Sequence, residues 1–160
     1  MPDSRAADQD HERVATALAS CLPALNRALD RRVGQDFDRP KPSDAQIALL
    51  RFVARQEGAT VREAAEALLM RPNNVSAIVS QLTRQGLVDR RQDSADKRIA
   101  HLYPTARARR ELAEVRRLEG KHLAQALQAL TDGERDALGS AVGALTSLTR
   151  ALHPSSTVSE

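Results

Sequence analysis

The sequence predicts a mainly α-helical chain carrying one small β-hairpin, and three observations lead there. Aromatic residues are 2% of the 160, only Phe37, Phe52 and Tyr103, so the interior must be packed from Leu, Val, Ile and Ala, which suits helix against helix. Apolar residues recur at three- and four-residue steps along most of the chain. Two short alternating stretches, 87–91 and 98–103, flank the polar segment QDSADK, as in a hairpin and its tip.

The elements follow in order. Residues 1–10 are polar and unpatterned, a loose tail by composition. Over 11–33, Val14, Leu18, Cys21, Leu22, Leu25 and Leu29 share one helical face, with Pro23 inside expected to kink it. GQDFDRPKP then reads as a linker. Ser43 and Gln46 form a capping box ahead of Ile47, Leu49, Leu50, Phe52 and Val53, a helix apolar almost all round and expected to be buried. Thr60 and Glu63 form a second box, opening a short helix through Ala64, Ala65 and Leu68. Pro72 suits the first turn of the next helix, whose Val75, Ile78, Val79 and Leu82 lie on one face and whose end is marked by Gly86. After the hairpin a long helix runs from Thr105 through Leu112, Val115, Leu118, Leu123 and Leu127. Thr131 and Glu134 cap a last helix bearing Leu138, Val142, Leu145, Leu148 and Leu152. Residues 154–160 read as a second loose tail.

Composition narrows the function classes. Cys21 is the only cysteine, and there is no CxxC or HExxH spacing, so neither an internal disulfide nor a metal site is expected. No cofactor is implied. The N-terminus lacks the profile of a signal peptide, and no apolar run approaches the roughly 20 residues of a membrane span, so a cytoplasmic location is expected. His11, His101, His122 and His153 fall on different elements, with no nucleophile–base pair or carboxylate pair at a useful spacing, which argues against an enzyme. Arginine supplies 21 of the 24 basic residues, the side chain whose planar fork fits phosphate and guanine edges. Between residues 84 and 117 ten basic residues face five acidic ones, against a net charge of +3 for the whole chain.

That charge surrounds a helix with an unusual outer face. Opposite the apolar stripe of 72–84 lie Pro72, Asn73, Asn74, Ser76, Ala77, Ser80, Gln81 and Arg84, almost all small or amide-bearing. A solvated helix face more often carries Glu and Lys, whereas a helix in the major groove needs short side chains, amides for adenine and an arginine for guanine or phosphate. The hairpin adds Arg90 and Arg91 at its base and Asp96, Lys97 and Arg98 near its tip. Two short helices and a charged ribbon in this order spell a winged helix-turn-helix over 43–104, a double-stranded DNA reader whose wing can reach the minor groove. The helices at 11–33 and 105–153 have apolar stripes longer than that core can cover, the mark of a self-association surface.

These residues resemble the MarR family of bacterial transcriptional regulators: QIALLRFV, TVREAAEAL, VSAIVSQLTRQGLVDRR and DSADKRIAHLYPT stand in the family's order and spacing. The chain departs from the family where Leu-Thr-x-x-Gly usually follows the wing, having Pro104-Thr105 and then Ala108. The resemblance implies that Arg98 is the minor-groove arginine, braced by Asp96, and that residues 72–84 read the major groove. It also implies a homodimer interlocked through the first and last two helices, acting on an inverted repeat. A repressor relieved by a small-molecule effector is the expected regulation, with Cys21, Leu25, Leu50 and Arg51 as candidates for the effector pocket. Two alternatives stand beside it: a redox sensor built on Cys21, or a winged protein-interaction module that does not bind DNA.

Overall fold

A computed structural model describes residues 4–152. Among the described residues, six helices and three short strands run in the order α1 (Ser4–Asp36), α2 (Asp44–Arg55), β1 (Ala59–Thr60), α3 (Val61–Ala67), α4 (Pro72–Arg84), β2 (Val88–Gln92), β3 (Ala100–Pro104), α5 (Ala106–Gln128) and α6 (Asp132–Leu152). The chain divides into two compact units, one ending at Gly120 and the other beginning at Lys121. Among the described residues no helix is long and apolar enough to cross a membrane, and no cluster of His, Cys, Asp and Glu is placed to hold a metal ion. The expected tail at 154–160 and His153 lie outside the described residues.

Local chemistry sets the helix starts. In the first unit, Ser43 accepts from the Gln46 amide while the Gln46 side chain accepts from the Ser43 amide, and Thr60 and Glu63 reciprocate in the same way. Pro72 occupies the first turn of α4. Gly86, at φ +69, ends that helix, with its amide donating to Thr83. In the second unit, Thr131 and Glu134 repeat the capping box at α6.

The first unit's main core gathers α2, α3, α4, the sheet and the start of α5. Leu49, Leu50, Val53, Ala64, Ala65, Val75, Val79, Leu82, Leu87, Val88, Leu102 and Ala108 are all buried together. Ala108 stands where the family's glycine would be and is wholly enclosed, so a methyl is accommodated. Thr105 secures the entry to α5: its amide donates to Leu87, its hydroxyl donates to Gly86 and accepts from Ala108. A second cluster joins Val33, Phe37, Ile47, Val115 and Leu118. Glu111 is buried to 3% exposure beside these residues and holds Arg39 and Arg107 at 3.4 and 3.0 Å, which compensates its charge.

Several expectations change. Helix α1 begins at Ser4 and continues through Pro23 and Gly34 to Asp36, longer than 11–33 and taking in most of the supposed tail. Its extension places Val33 and Phe37 in the second cluster, a packing gain that outweighs glycine's weak helix propensity. Ile78 on α4 is half-buried, and Ile99 in the wing is 41% exposed, so the apolar side of the wing is shorter than its alternation implied. The sheet has three strands rather than two, in the order β1-β3-β2 and antiparallel throughout. Ala59 pairs with Leu102 and Thr60 with His101, while β2 pairs from Val88↔Pro104 to Gln92↔Ala100. Arg98 consequently lies in the turn, two residues before β3, and not in a strand.

Candidate nucleic-acid interface

Every residue expected on the reading face of α4 is exposed: Pro72, Asn73, Asn74, Ser76, Ala77, Ser80, Gln81 and Arg84. Val75, Val79 and Leu82 on the opposite side are fully buried, which fixes the rotation of the helix about its axis. Two of the polar side chains are already engaged. Ser80 donates back to the Ser76 carbonyl, and the Gln81 amide oxygen accepts from Gln46 on α2.

The wing turn is built on two aspartates. Asp93 Oδ1 accepts from the amides of Ala95 and Asp96 at 2.8 and 3.0 Å, and the Ile99 amide donates to the Asp96 carbonyl. Asp96 then accepts from the Arg98 amide and from its Nε and Nη2, each at 3.0 Å. The Asp96 carboxyl is held below its ordinary value by the Arg98 side chain first and the Arg98 amide second, and the guanidinium is correspondingly raised. The Arg98 side chain remains 91% exposed, so this two-point pair orients the arginine and adds little to stability.

The sequence treats Arg90 and Arg91 alike, but the pleat separates them. Arg91 stacks 4.4 Å from the centre of the Tyr103 ring. Arg90 turns to the other side, where it lines a cleft with Thr60, Val61, Arg62, Ser76 and Arg98. Lys97 is exposed in the turn. Arg62, in the first turn of α3, was not among the expected site residues. Its position opposite Ala64, Ala65 and Leu68 on a short helix is the signal that could have found it. Arginines from α3, β2 and the wing turn thus line one cleft together with Ser76 of the exposed α4 face, an arrangement suited to a polyanion with a groove.

The four candidate pocket residues are not brought together. Leu50 is sealed in the main core, while Cys21 and Leu25 are exposed on α1. Cys21 thus lies open on this chain despite its place in an apolar stripe. Arg51 lines a cavity, with Asn26, Asp30, Lys41, Ile47 and Glu119 among its neighbours. There it makes a two-point pair with Glu119 at 3.0 and 2.9 Å.

The MarR family model matches residues 42–99, the segment from the linker's last proline through the wing turn. No curated protein matches the chain in sequence. Among solved structures, a putative transcriptional regulator from Pseudomonas aeruginosa is 28% identical with a TM-score of 0.72, over 88% of this chain and 96% of that one. The RV1404 protein of Mycobacterium tuberculosis is 21% identical with a TM-score of 0.73, over 88% and 92%. FabT of Streptococcus pneumoniae, solved in complex with DNA, is 17% identical with a TM-score of 0.65, over 89% and 99%. Residues 42–99 thus match the MarR family, within a chain whose fold is that of solved MarR-family structures.

Proposed function

We propose that this chain is a sequence-specific regulator that binds double-stranded DNA as a homodimer on an inverted repeat, with α4 in the major groove and Arg98 in the minor groove. The observation that carries the reading is the exposed face of α4, small and amide-bearing, beside a cleft rimmed by Arg62, Arg90 and Arg98. The DNA-bound relative of similar fold supports it. Self-association is supported by the apolar residues the single chain leaves exposed, among them Leu22 and Leu25 on α1 and Leu138, Val142 and Leu152 on α6. Two reading helices then meet half-sites about one turn, roughly 34–36 Å, apart. Repression relieved by a small effector is the regulation proposed, the cavity lined by Arg51 offering it a polar seat. Cys21 joins neither that cavity nor the wing, so nothing ties it to either.

The test is fluorescence anisotropy on duplexes tiled across the promoter of the chain's own gene, at several salt concentrations. Selective binding that weakens with salt, and that falls by about 1–3 kcal/mol in Arg98→Ala with the dimer intact, is the expected result. Equal weak binding to every duplex, indifferent to Arg98, would instead favour a protein-binding scaffold.

A further inference from the structure

His101 stands on the central strand with its ring held at both ends. Nδ1 lies 2.6 Å from the Gly58 carbonyl oxygen, and Nε2 lies 3.0 Å from Asp93 Oδ2. Both partners are acceptors. Gly58 offers a carbonyl, and Asp93 is a carboxylate down to about 2, held there by the Asp96 amide first, then by His101 and the Ala95 amide. A neutral imidazole has one N–H and can donate to only one of them, whereas the imidazolium donates to both. The partners belong to different elements, since Gly58 immediately precedes β1 and Asp93 is where β2 gives way to the wing turn. Gly58 is itself anchored to the sheet: its amide donates to the Leu102 carbonyl at 2.8 Å, and its φ of +84 keeps a side chain from taking its place.

We infer that doubly protonated His101 is a positioning residue for the wing: it clamps Asp93 to Gly58, Asp93 holds the amides of Ala95 and Asp96, and Asp96 aims Arg98. Its effect on DNA affinity rests on the function proposed above; its effect on the wing does not. The charged groups around the ring agree with the clamp. Asp93 faces it from the turn and Glu63 from the first turn of α3, while its neighbour on β1 is the neutral Thr60. Arg91 is its cross-strand partner on β2, but that guanidinium is drawn onto Tyr103. The bond to Asp93 first, then the bond to Gly58, raises His101 above its ordinary 6.5 and so favours the imidazolium. As pH rises through that value the ring gives up one of its two contacts, and the turn that carries Arg98 loses a fixed anchor. If DNA binding favours the clamped wing, affinity falls over the same interval, by tenfold for each unit by which DNA raises the histidine further.

The experiment has two arms, both on the full chain. In the first, without DNA, NMR follows the His101 ring and the amide exchange of Ala95 and Asp96 from about pH 5 to about pH 8, in the native protein and in Asp93→Asn. Asparagine keeps an oxygen for the two amides and removes the charge facing the ring. The clamp requires His101 to titrate above 6.5 in the native protein and lower in the variant, with the two amides losing protection as the ring deprotonates. In the second arm, affinity for a selectively bound duplex is measured over the same range. Native affinity should drop about threefold or more with rising pH, His101→Gln should flatten the profile, and Asp93→Asn should bind more weakly although it removes a negative charge near phosphate. His101 titrating at or below 6.5, amides indifferent to it, or a native pH slope in His101→Gln would each overturn the inference. If no duplex is bound selectively while the first arm holds, the DNA reading fails and the clamp stands.

Discussion

The two halves of α5 carry similar leucine-rich patterns and meet different fates. Before Gly120, Val115 and Leu118 are enclosed with Val33, Phe37 and Ile47; after it, Leu123 and Leu127 are exposed. Helix α1 shows the same division, with Val33 buried and Val14, Leu22 and Leu25 open. In α6 no residue is buried, and Val142 is 59% exposed although its stripe is as regular as any in the chain. Amphipathic periodicity therefore specifies a helix and its apolar face, but not what covers that face. The winged core finds its cover within the first unit, and in the proposed homodimer a second copy covers the stripes on α1, late α5 and α6.

Three substitutions sharpen this contrast, from the largest effect to the smallest. Leu82→Ala empties a fully enclosed site in the main core and should cost about 2–5 kcal/mol, read as a lower midpoint in denaturant whatever the protein concentration. Leu148→Asp on α6 places a charge on the exposed stripe and should weaken self-association by about 2 kcal/mol, seen by sedimentation as dissociation at concentrations where the native chain is paired. Retention of the native assembly would show that the stripe is simply solvated. Leu69 sits in the turn between α3 and α4 at φ +53, 65% exposed, a backbone conformation that costs a side-chain-bearing residue about 1–2 kcal/mol. Leu69→Gly relieves that strain against glycine's extra freedom in the unfolded chain, and a gain of about 0.5–1 kcal/mol in unfolding free energy is expected. A loss would mean that the leucine side chain contributes packing.

What was legible in the sequence was what is local. The three capping boxes, Pro72 and Gly86 set their boundaries through neighbours three or four residues away, and each stands where its residues predict. The long-range features were not legible. Strand β1 has two residues, too few to alternate, and exists only because β3, some forty positions later, supplies its partner. The division between Arg90 and Arg91 depends on strand register, which adjacent arginines do not reveal. Leu50 was expected both in a buried helix and at a pocket, and it lies in the main core: the sequence shows that a residue is apolar and turned inward, but not whether a neighbouring side chain or a cavity meets it. Leu69 carries no glycine or asparagine to announce its left-handed backbone.

Thr60 occupies three positions at once. It closes β1, caps α3 and pairs across to His101. The ribbon is therefore stitched along one edge to the start of the helix-turn-helix. Its loss of conformational entropy falls due when the chain folds. A partner arriving later meets a surface already oriented, and the binding energy of Arg62, Arg90 and Arg98 need not be spent on ordering the helix, strand and turn that carry them.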